Sequence, residues 1–344
     1  MRSGVIAGGN WLIDHVKVID AWPEQDSLAT ILEQSWGNGG GPYNVLKNLA
    51  KLGAEFPLEG IGLVGEDASG KRIREDCRAH GIDVRQLRTT GEAATSFTDV
   101  MTVATTRRRT FFHQRGANAL LAPEHFDFSV TRAKWFHLGY LLLLDGLDAL
   151  DAAGKPRALD VFRRAREAGL KTSLDCVSDH GMGFQSVVAP VLPEVDVLFV
   201  NDFEAEKLTG LSLGRGETLR REAIVEAGRM LLTSGVREWV VVHCPEGAGA
   251  CGASGEIIWQ PSVRMPAEQI AGTAGAGDAL AAGVLMVLHD GGEIGAALKL
   301  GVCAGAASLR DVTCSNAVDG AASCLRLGER FGFYDDRGKN LLGS

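Results

Sequence analysis

The sequence predicts an α/β fold, a doubly wound and mostly parallel β-sheet flanked by helices, with a small β lid. Three observations predict it. Strand-like apolar runs alternate with amphipathic helical segments along most of the 344 residues, which is typical of a parallel sheet covered on both faces. With 45% hydrophobic residues, the chain can bury one large core. A hairpin-like pair of runs, residues 95–103 and 109–114, interrupts the alternation.

The first elements follow from hydrophobic periodicity and from glycine positions. Residues 4–9, GVIAGG, form a short buried strand, and an alternating run follows them. A glycine turn then precedes a helix that ends at Gly53 and carries one apolar stripe. A strand within residues 57–65 and a helix within 71–83 complete this part of the chain.

After the hairpin the pattern becomes regular and predicts the remaining elements in order. They are a strand at 134–143, a helix at 156–169, strands at 171–177 and 195–201, helices at 202–210 and 221–235, a strand at 238–244, a strand-like run at 256–265, a helix from Asp278, and two helical stretches near 293–310 and 316–327.

We expect one domain over residues 1–344, because the sequence contains no internal repeat and no proline-rich linker. Segments of about 15–36 and 95–114 would form the β lid that projects from it. The basic run 107–109 is expected to be a solvated hairpin tip. An exposed face of the lid could pair with a second subunit, so a homodimer is a possible assembly.

Charge and composition exclude several classes of protein. The net charge is −8 without a block of basic residues, which argues against a nucleic-acid binder. No apolar run reaches the ~18 residues that a membrane span requires. The seven cysteines lack the spacing of a zinc site. In a chain without a signal-peptide pattern they predict reduced thiols and a cytoplasmic location.

The stretch AGTAGAGDALAAG, residues 271–283, carries the strongest chemical signal. Free main-chain N–H groups at a helix start bind anions, so the turn at Gly275, Ala276 and Gly277 could hold a phosphoryl group. Asp278 could then accept the proton of an attacking hydroxyl. The alternative is a tight strand-to-helix turn in which Asp278 only caps the helix. The Walker loop, the GxGxxG loop after the first strand and the protein-kinase motifs are absent.

Four motifs in order resemble those of the ribokinase-like carbohydrate kinases, also called the phosphofructokinase B family. Residues 271–283 resemble the C-terminal signature, and residues 38–70 resemble the N-terminal signature with its glycine pair and G-x-V-G-x-D-x-x-G run. NDFEAEKLTG, residues 201–210, resembles the middle motif, and HQRGANALL, residues 113–121, resembles the ribokinase substrate loop. Together the motifs span roughly residues 4–325.

The resemblance implies transfer of the γ-phosphoryl group of ATP to a sugar hydroxyl, with Mg²⁺ as cofactor. It implies that Asp278 is the general base, that Gly275, Ala276 and Gly277 form the anion hole, and that Thr273 lies at its edge.

It also implies which residues hold the two substrates. Those on the sugar side are Asp14, Gly40, Gly41, Asn44 and Asn118. On the nucleotide side the resemblance implies that Asn201, Glu204 and Gly247 bind near the phosphates, with Glu204 holding Mg²⁺ through water.

The chain departs from the family pattern at three places. Gly272 replaces an acid that helps many members hold a monovalent cation, so potassium dependence is doubtful. Cys244, Pro245 and Glu246 precede Gly247 where the family often has a glycine-serine pair, and the glycine-alanine pair expected near 311–318 is replaced. These differences concern the side that binds the phosphate donor and leave the residues of the phosphoryl-transfer step unchanged.

Two rivals to the sugar kinase remain at the level of the sequence. One is a nucleoside kinase of the same fold. The other is a non-catalytic regulator that binds a sugar or nucleotide, although a pure binder does not need the base Asp278. The sequence does not determine which sugar is used, which hydroxyl is phosphorylated, or whether an effector exists.

Overall fold

The computed structural model describes residues 2–106, 108–178, 181 and 183–334. The ends of the predicted domain, Met1 and residues 335–344, and residue 107 of the predicted lid lie outside this range. Within it, thirteen strands form two sheets. In chain order they are β1 (Val5–Gly9), β2 (Leu12–Ile19), β3 (Ile31–Gly39), β4 (Leu58–Gly65), β5 (Ile82–Thr90), β6 (Ser96–Val103), β7 (Arg109–Gln114), β8 (Trp135–Leu141), β9 (Lys171–Cys176), β10 (Val197–Asn201), β11 (Trp239–Cys244), β12 (Gly247–Gly252) and β13 (Ile257–Pro261).

The α-helices of the described residues cover the larger sheet, and short 3₁₀ and π turns join some of the elements. The helices are α1 (Gly41–Leu52), α2 (Ala68–Ala79), α3 (Asp145–Asp148), α4 (Ala158–Glu167), α5 (Asp202–Thr209), α6 (Arg221–Thr233), α7 (Ala276–His289), α8 (Ile294–Ser308) and α9 (Ala321–Phe331). None of them is long and apolar enough to span a bilayer.

The larger sheet has nine strands in the order β13-β12-β11-β10-β9-β8-β1-β4-β5. All neighbours from β11 to β5 run parallel, and only β12 and β13 pair antiparallel at one edge. Apolar side chains pack on both faces because successive residues of a strand point to opposite sides: Val5 and Ala7 enter one core and Ile6 enters the other. The predicted fold class, a mostly parallel sheet flanked by helices, is confirmed.

Two strands of this sheet were not predicted, and one helix begins later than predicted. Strand β5 carries many polar residues, and β12 reads Gly-Ala-Gly-Ala-Cys-Gly, which has low intrinsic strand propensity. The small residues of β12 are required by packing, since a Cβ at Gly247 would lie 2.6 Å from the Trp259 ring. The last helix, α9, begins at Ala321 rather than near residue 316.

The smaller sheet has four strands in the order β3-β2-β6-β7 and comes from residues 12–39 and 96–114. Strand β2 pairs parallel with β6 and antiparallel with β3. The chain passes from β1 of the large sheet into β2 through Asn10 and Trp11. Asn118 fixes this passage, because its amide accepts from the Trp11 N–H at 3.1 Å and donates to the Trp11 carbonyl at 3.1 Å.

Helices α7 and α8 approach each other closely through small residues. A Cβ at Gly283 would lie 2.8 Å from the Cα of Gly301, and one at Gly301 would lie 2.9 Å from the Leu280 carbonyl oxygen. This contact matters for function because it fixes the position of α7, whose first turn carries Asp278.

We expect Gly283→Ala to lower the free energy of unfolding by about 1–3 kcal/mol, because the added methyl group forces the two helices apart. Gly295→Ala is the matched control, since its Cβ would meet only Ile258 at 3.8 Å in ordinary contact. That control should leave stability unchanged or raise it by up to about 1 kcal/mol, because alanine favours the helix more than glycine does. Urea unfolding measures both, and equal effects of the two variants would contradict the close packing.

We expect Asn118→Ala to lower the free energy of unfolding by about 1–3 kcal/mol, because it leaves two buried main-chain groups of Trp11 unpaired. Urea unfolding and the Michaelis constant for the acceptor together distinguish a structural role of Asn118 from a contact with the substrate. Unchanged stability with a raised acceptor KM would contradict the structural role and support the substrate contact implied by the resemblance.

Candidate functional site

A cleft of about 1500 Å³ lies between the carboxyl ends of the central parallel strands and the inner face of the small sheet. Ligands of open α/β sheets bind at this end of the strands. Ten residues that the sequence assigned to the site line this cleft: Asp14, Gly40, Asn44, Asn201, Glu204, Thr273, Gly275, Ala276, Gly277 and Asp278.

The first turn of α7 opens into the cleft with unpaired main-chain donors. Gly275 caps the helix with φ 78°, a conformation that glycine adopts without strain, and a side chain there would collide with Cys314. Within the described residues, the N–H groups of Gly275, Ala276, Gly277 and Asp278 donate to no protein acceptor. Together with the helix dipole they form a pocket suited to an anion.

Asp278 is buried in the same turn, with its carboxylate facing the cleft. One oxygen accepts from the Asn44 side-chain amide at 2.8 Å, and the other accepts from the Tyr140 hydroxyl at 2.6 Å. Burial raises the pKa of Asp278 to about 6, although both hydrogen bonds oppose the rise by stabilising the ionised form. This carboxylate is therefore more basic than an exposed aspartate.

Asp14 enters the cleft from β2 of the small sheet. Burial, together with the charge of Asp278, raises its pKa to about 7. The thiol of Cys314 lies 3.9 Å from one of its oxygens. Asp14 and Asp278 therefore belong to one electrostatic unit at this end of the cleft.

Three asparagine side chains lie beside these acids and keep hydrogen-bonding capacity unused. Within the described residues, the amide nitrogen of Asn10 and the amide oxygens of Asn38 and Asn44 are buried without a partner, and all three residues line the cleft. The oxygen of Asn10 holds the start of α1 by accepting from the Gly41 N–H at 3.2 Å. A buried polar atom without a partner is costly, which indicates that a polar ligand completes these groups.

The opposite end of the cleft is built on the first turn of α5. Asn201 caps this helix by accepting from the Glu204 N–H, and Glu204 accepts from the Asn201 N–H at 3.0 Å. The Ser178 hydroxyl also donates to Glu204 at 3.0 Å. Burial raises the pKa of Glu204 to about 7, against the effect of its hydrogen bonds.

Asp175, at the end of β9, lines the cleft between the two ends and was missed by the sequence analysis. Burial raises its pKa well above the usual range, and the charges of Glu204 and Asp278 raise it further. Its position at the carboxyl end of a parallel strand was a usable signal, since functional acids of such sheets lie there. Tyr140 was also missed, and a strand residue of this kind gives no comparable signal.

Three predicted residues do not line the cleft. Gly41 is the buried first residue of α1, and Asn118 is buried with its amide bonded to Trp11. Gly247 is the first residue of β12 and packs against Trp259, while its neighbours Cys244 and Pro245 border the cleft. Gly41, Asn118 and Gly247 therefore form a supporting layer, that is, they lie behind the residues that line the cleft.

Arg109 is placed differently from the prediction of a solvated hairpin tip. It is the first residue of β7, it is half-buried, and it lines the cleft, whereas its neighbour Arg108 is exposed. The correction has a physical reason: Gly272 has no side chain, so the Arg109 guanidinium lies against it in the space that an acid at 272 would fill.

The comparisons with known proteins agree with this architecture. The model of the pfkB family of carbohydrate kinases matches residues 9–320. The chain is 27% identical to the ATP-dependent ribose-1-phosphate kinase of Halopiger xanaduensis over 95% of this chain and 99% of that protein. It is 25% identical to mouse ketohexokinase over 86% of this chain and 93% of that protein.

Solved structures show the same fold. The ribokinase of Arabidopsis thaliana, in its complex with ribose and ATP, superposes with a TM-score of 0.75 at 21% identity, over 95% of this chain and 99% of that one. With a family match that covers most of its length, and a cleft at the expected end of the sheet, this chain belongs to the pfkB family of carbohydrate kinases.

Proposed function

We propose that this protein is an ATP-dependent kinase that transfers the γ-phosphoryl group to a hydroxyl of a sugar. The observation that carries the proposal is the first turn of α7, where a buried carboxylate adjoins main-chain N–H groups that donate to no acceptor among the described residues. A binding protein has use for the anion pocket, but not for a base beside it. Family membership supports the kinase class.

In the proposed reaction the acceptor hydroxyl lies between Asp278 and the γ-phosphorus. Asp278 takes the hydroxyl proton as the oxygen attacks phosphorus, and the bond to the β-phosphate oxygen of ADP breaks. The phosphoryl oxygens carry the charge in the transition state, and the N–H groups from Gly275 to Gly277 stabilise it. Asn44 and Tyr140 orient the carboxylate through their hydrogen bonds.

The acceptor end of the cleft fits a polyol. Asp14 offers two acceptor oxygens, and the unpartnered atoms of Asn10, Asn38 and Asn44 offer one donor and two acceptors. Gly40 leaves the main chain accessible at the same end. The two relatives and the ribokinase structure named above act on or bind ribose or ketohexose compounds, which favours a sugar acceptor.

The nucleotide end would hold the phosphates of ATP near Asn201, Glu204 and Thr273, with Gly247 in the supporting layer. Mg²⁺, when bound, would neutralise charge on the phosphates and orient them. Asp175 and Glu204 fit it chemically, because the charge of Glu204 adds to burial in raising the pKa of Asp175 and a cation would relieve this repulsion. No three side chains of the described ranges are arranged as a metal cluster. Water and nucleotide oxygens would therefore complete the coordination, with Glu204 acting through water.

We propose that the small sheet is a lid that closes over the acceptor and limits hydrolysis of ATP by excluding water.

We further propose that the small sheet pairs two subunits, because it exposes large apolar side chains at Trp22, Leu28, Ile31, Leu32, Trp36, Phe111 and Phe112. Sedimentation equilibrium tests the pairing, and a mass of 36.5 kDa at micromolar concentration would exclude it. A cytoplasmic location is part of the same proposal.

We expect Asp278→Asn to lower kcat by about 10²- to 10⁴-fold, because it removes the general base. The same variant should be more stable at pH 8 by about 1–3 kcal/mol, since folding raises the pKa of Asp278 to about 6 and ionisation above that pH opposes folding. The stability difference should disappear below pH 4. Glu268→Gln, at an exposed acid outside the cleft in the segment that precedes α7, is the control and should change neither quantity.

An ADP-release screen with sugars and nucleosides provides the activity readout for this variant. Turnover with nucleosides alone would replace the sugar kinase by a nucleoside kinase. If no acceptor stimulates turnover while sugars and ATP raise the melting temperature, the protein is a non-catalytic binder.

We expect kcat/KM for the acceptor to fall as pH decreases through about 6, because Asp278 must be ionised to act as a base. Tyr140→Phe removes a hydrogen bond that stabilises the ionised carboxylate, so this acid limb should move to higher pH. Tyr43→Phe is the matched control, since the Tyr43 hydroxyl donates to Asp76 outside the cleft. An identical acid limb in both variants would contradict the assignment.

A further inference from the structure

Arg109 is a cation in the cleft, and it pairs with no acid in the part of the chain that the structure describes. Its side chain reaches from the start of β7 to the Gly272 main chain, beside the loop that leads into α7. Within the described residues, its guanidinium forms no ion pair and donates to no acceptor. Burial lowers its pKa, so enclosure of this charge is unfavourable in the unliganded protein.

Arg215 provides the comparison, because it is the other arginine that lines the described part of the cleft. Its guanidinium lies 3.1 Å from Asp202 and 3.6 Å from Glu206. Arg215 is therefore neutralised by its own surroundings, as is usual for a charge at the edge of a site. Arg109 differs in that no acid of the described residues neutralises its charge.

We propose that Arg109 binds an anionic group of the acceptor, so that the preferred acceptor is a sugar phosphate rather than a neutral sugar. This inference rests on the kinase function proposed above. A planar guanidinium presents paired N–H donors that match a phosphate monoester bidentately. The carboxyl groups of Asp14, Asp175, Glu204 and Asp278 line the same cleft, so an anionic acceptor needs a cation that offsets the repulsion by those that are ionised.

The position of Arg109 favours the acceptor over the donor as the source of the anion. Arg109 extends from the small sheet, as does Asp14, and Cys314 contacts both Asp14 and the Gly275 cap near it. Asn201 and Glu204 lie at the end of β10 and the start of α5, whereas the chain enters the small sheet from β1, and β9 and β8 lie between β10 and β1 in the large sheet. The γ-phosphoryl group of ATP is also an anion that a guanidinium binds, so the experiment has to distinguish a phosphate of the acceptor from the phosphates of ATP.

The experiment compares wild type, Arg109→Gln and Arg109→Lys, with Arg108→Gln as matched control because Arg108 is the exposed neighbour with equal charge. The acceptors are D-ribose, ribose 1-phosphate and ribose 5-phosphate. KM and kcat are measured for each acceptor at saturating ATP, and KM for ATP is measured at saturating acceptor. In parallel, the melting temperature is recorded with each acceptor alone.

The wild type should prefer one of the two sugar phosphates over ribose in kcat/KM. Arg109→Gln should lower kcat/KM for that phosphate by about 10- to 100-fold and change the value for ribose by less than about threefold. Arg109→Lys should retain part of the preference, because it keeps the charge and loses the paired donors. Arg108→Gln should behave as wild type.

Other outcomes overturn the inference. An equal loss with ribose and with the phosphates, or a raised KM for ATP, would assign Arg109 to the donor. A wild type that prefers ribose would exclude an anionic acceptor while leaving the kinase function intact. If no acceptor is phosphorylated but a sugar phosphate raises the melting temperature of wild type and not of Arg109→Gln, the kinase proposal fails and the anion site stands.

Discussion

The site depends on a helix whose first turn faces the cleft with its main-chain donors unpaired. Such donors are costly where water is excluded, and the chain keeps them free by giving this turn residues too small to cover them. The position of the helix is fixed by its close contact with α8 through Gly283 and Gly301. The anion pocket therefore depends on the packing of α7 against α8 as well as on the residues of the first turn of α7.

The second constraint is electrostatic. Asp14, Asp175, Glu204 and Asp278 share one cleft, and burial raises the pKa of each; the charge of Asp278 raises those of Asp14 and Asp175 further. An isolated cluster of this kind is unfavourable, and it becomes favourable when cations and hydrogen-bond donors arrive with the substrates. The unpartnered amide atoms of the three asparagines fit the same pattern, since a bound ligand would complete them.

The small sheet links these two parts. It supplies Asp14 and Arg109 to the cleft, and its passage from β1 is held by the bond pair between Asn118 and Trp11. Asn118 therefore positions the small sheet and does not line the cleft, although its motif resembles a substrate loop. Both roles need a buried amide with a donor and an acceptor, so the residue type alone does not separate them.

The sequence determined the α/β class, most of the alternating strands and helices, and the turn that carries Asp278, because periodicity and glycine placement are local properties of the chain. It did not determine β12, because the rings of Trp259 and Trp239 that pack against Gly247 and Gly252 are brought there by the fold. Nor did it determine the partners of Asp278 or the inward position of Arg109. Tyr140, Asn44 and Arg109 lie far from residues 272–278 along the chain, and only the packing of α1, β8 and the small sheet around α7 brings them there.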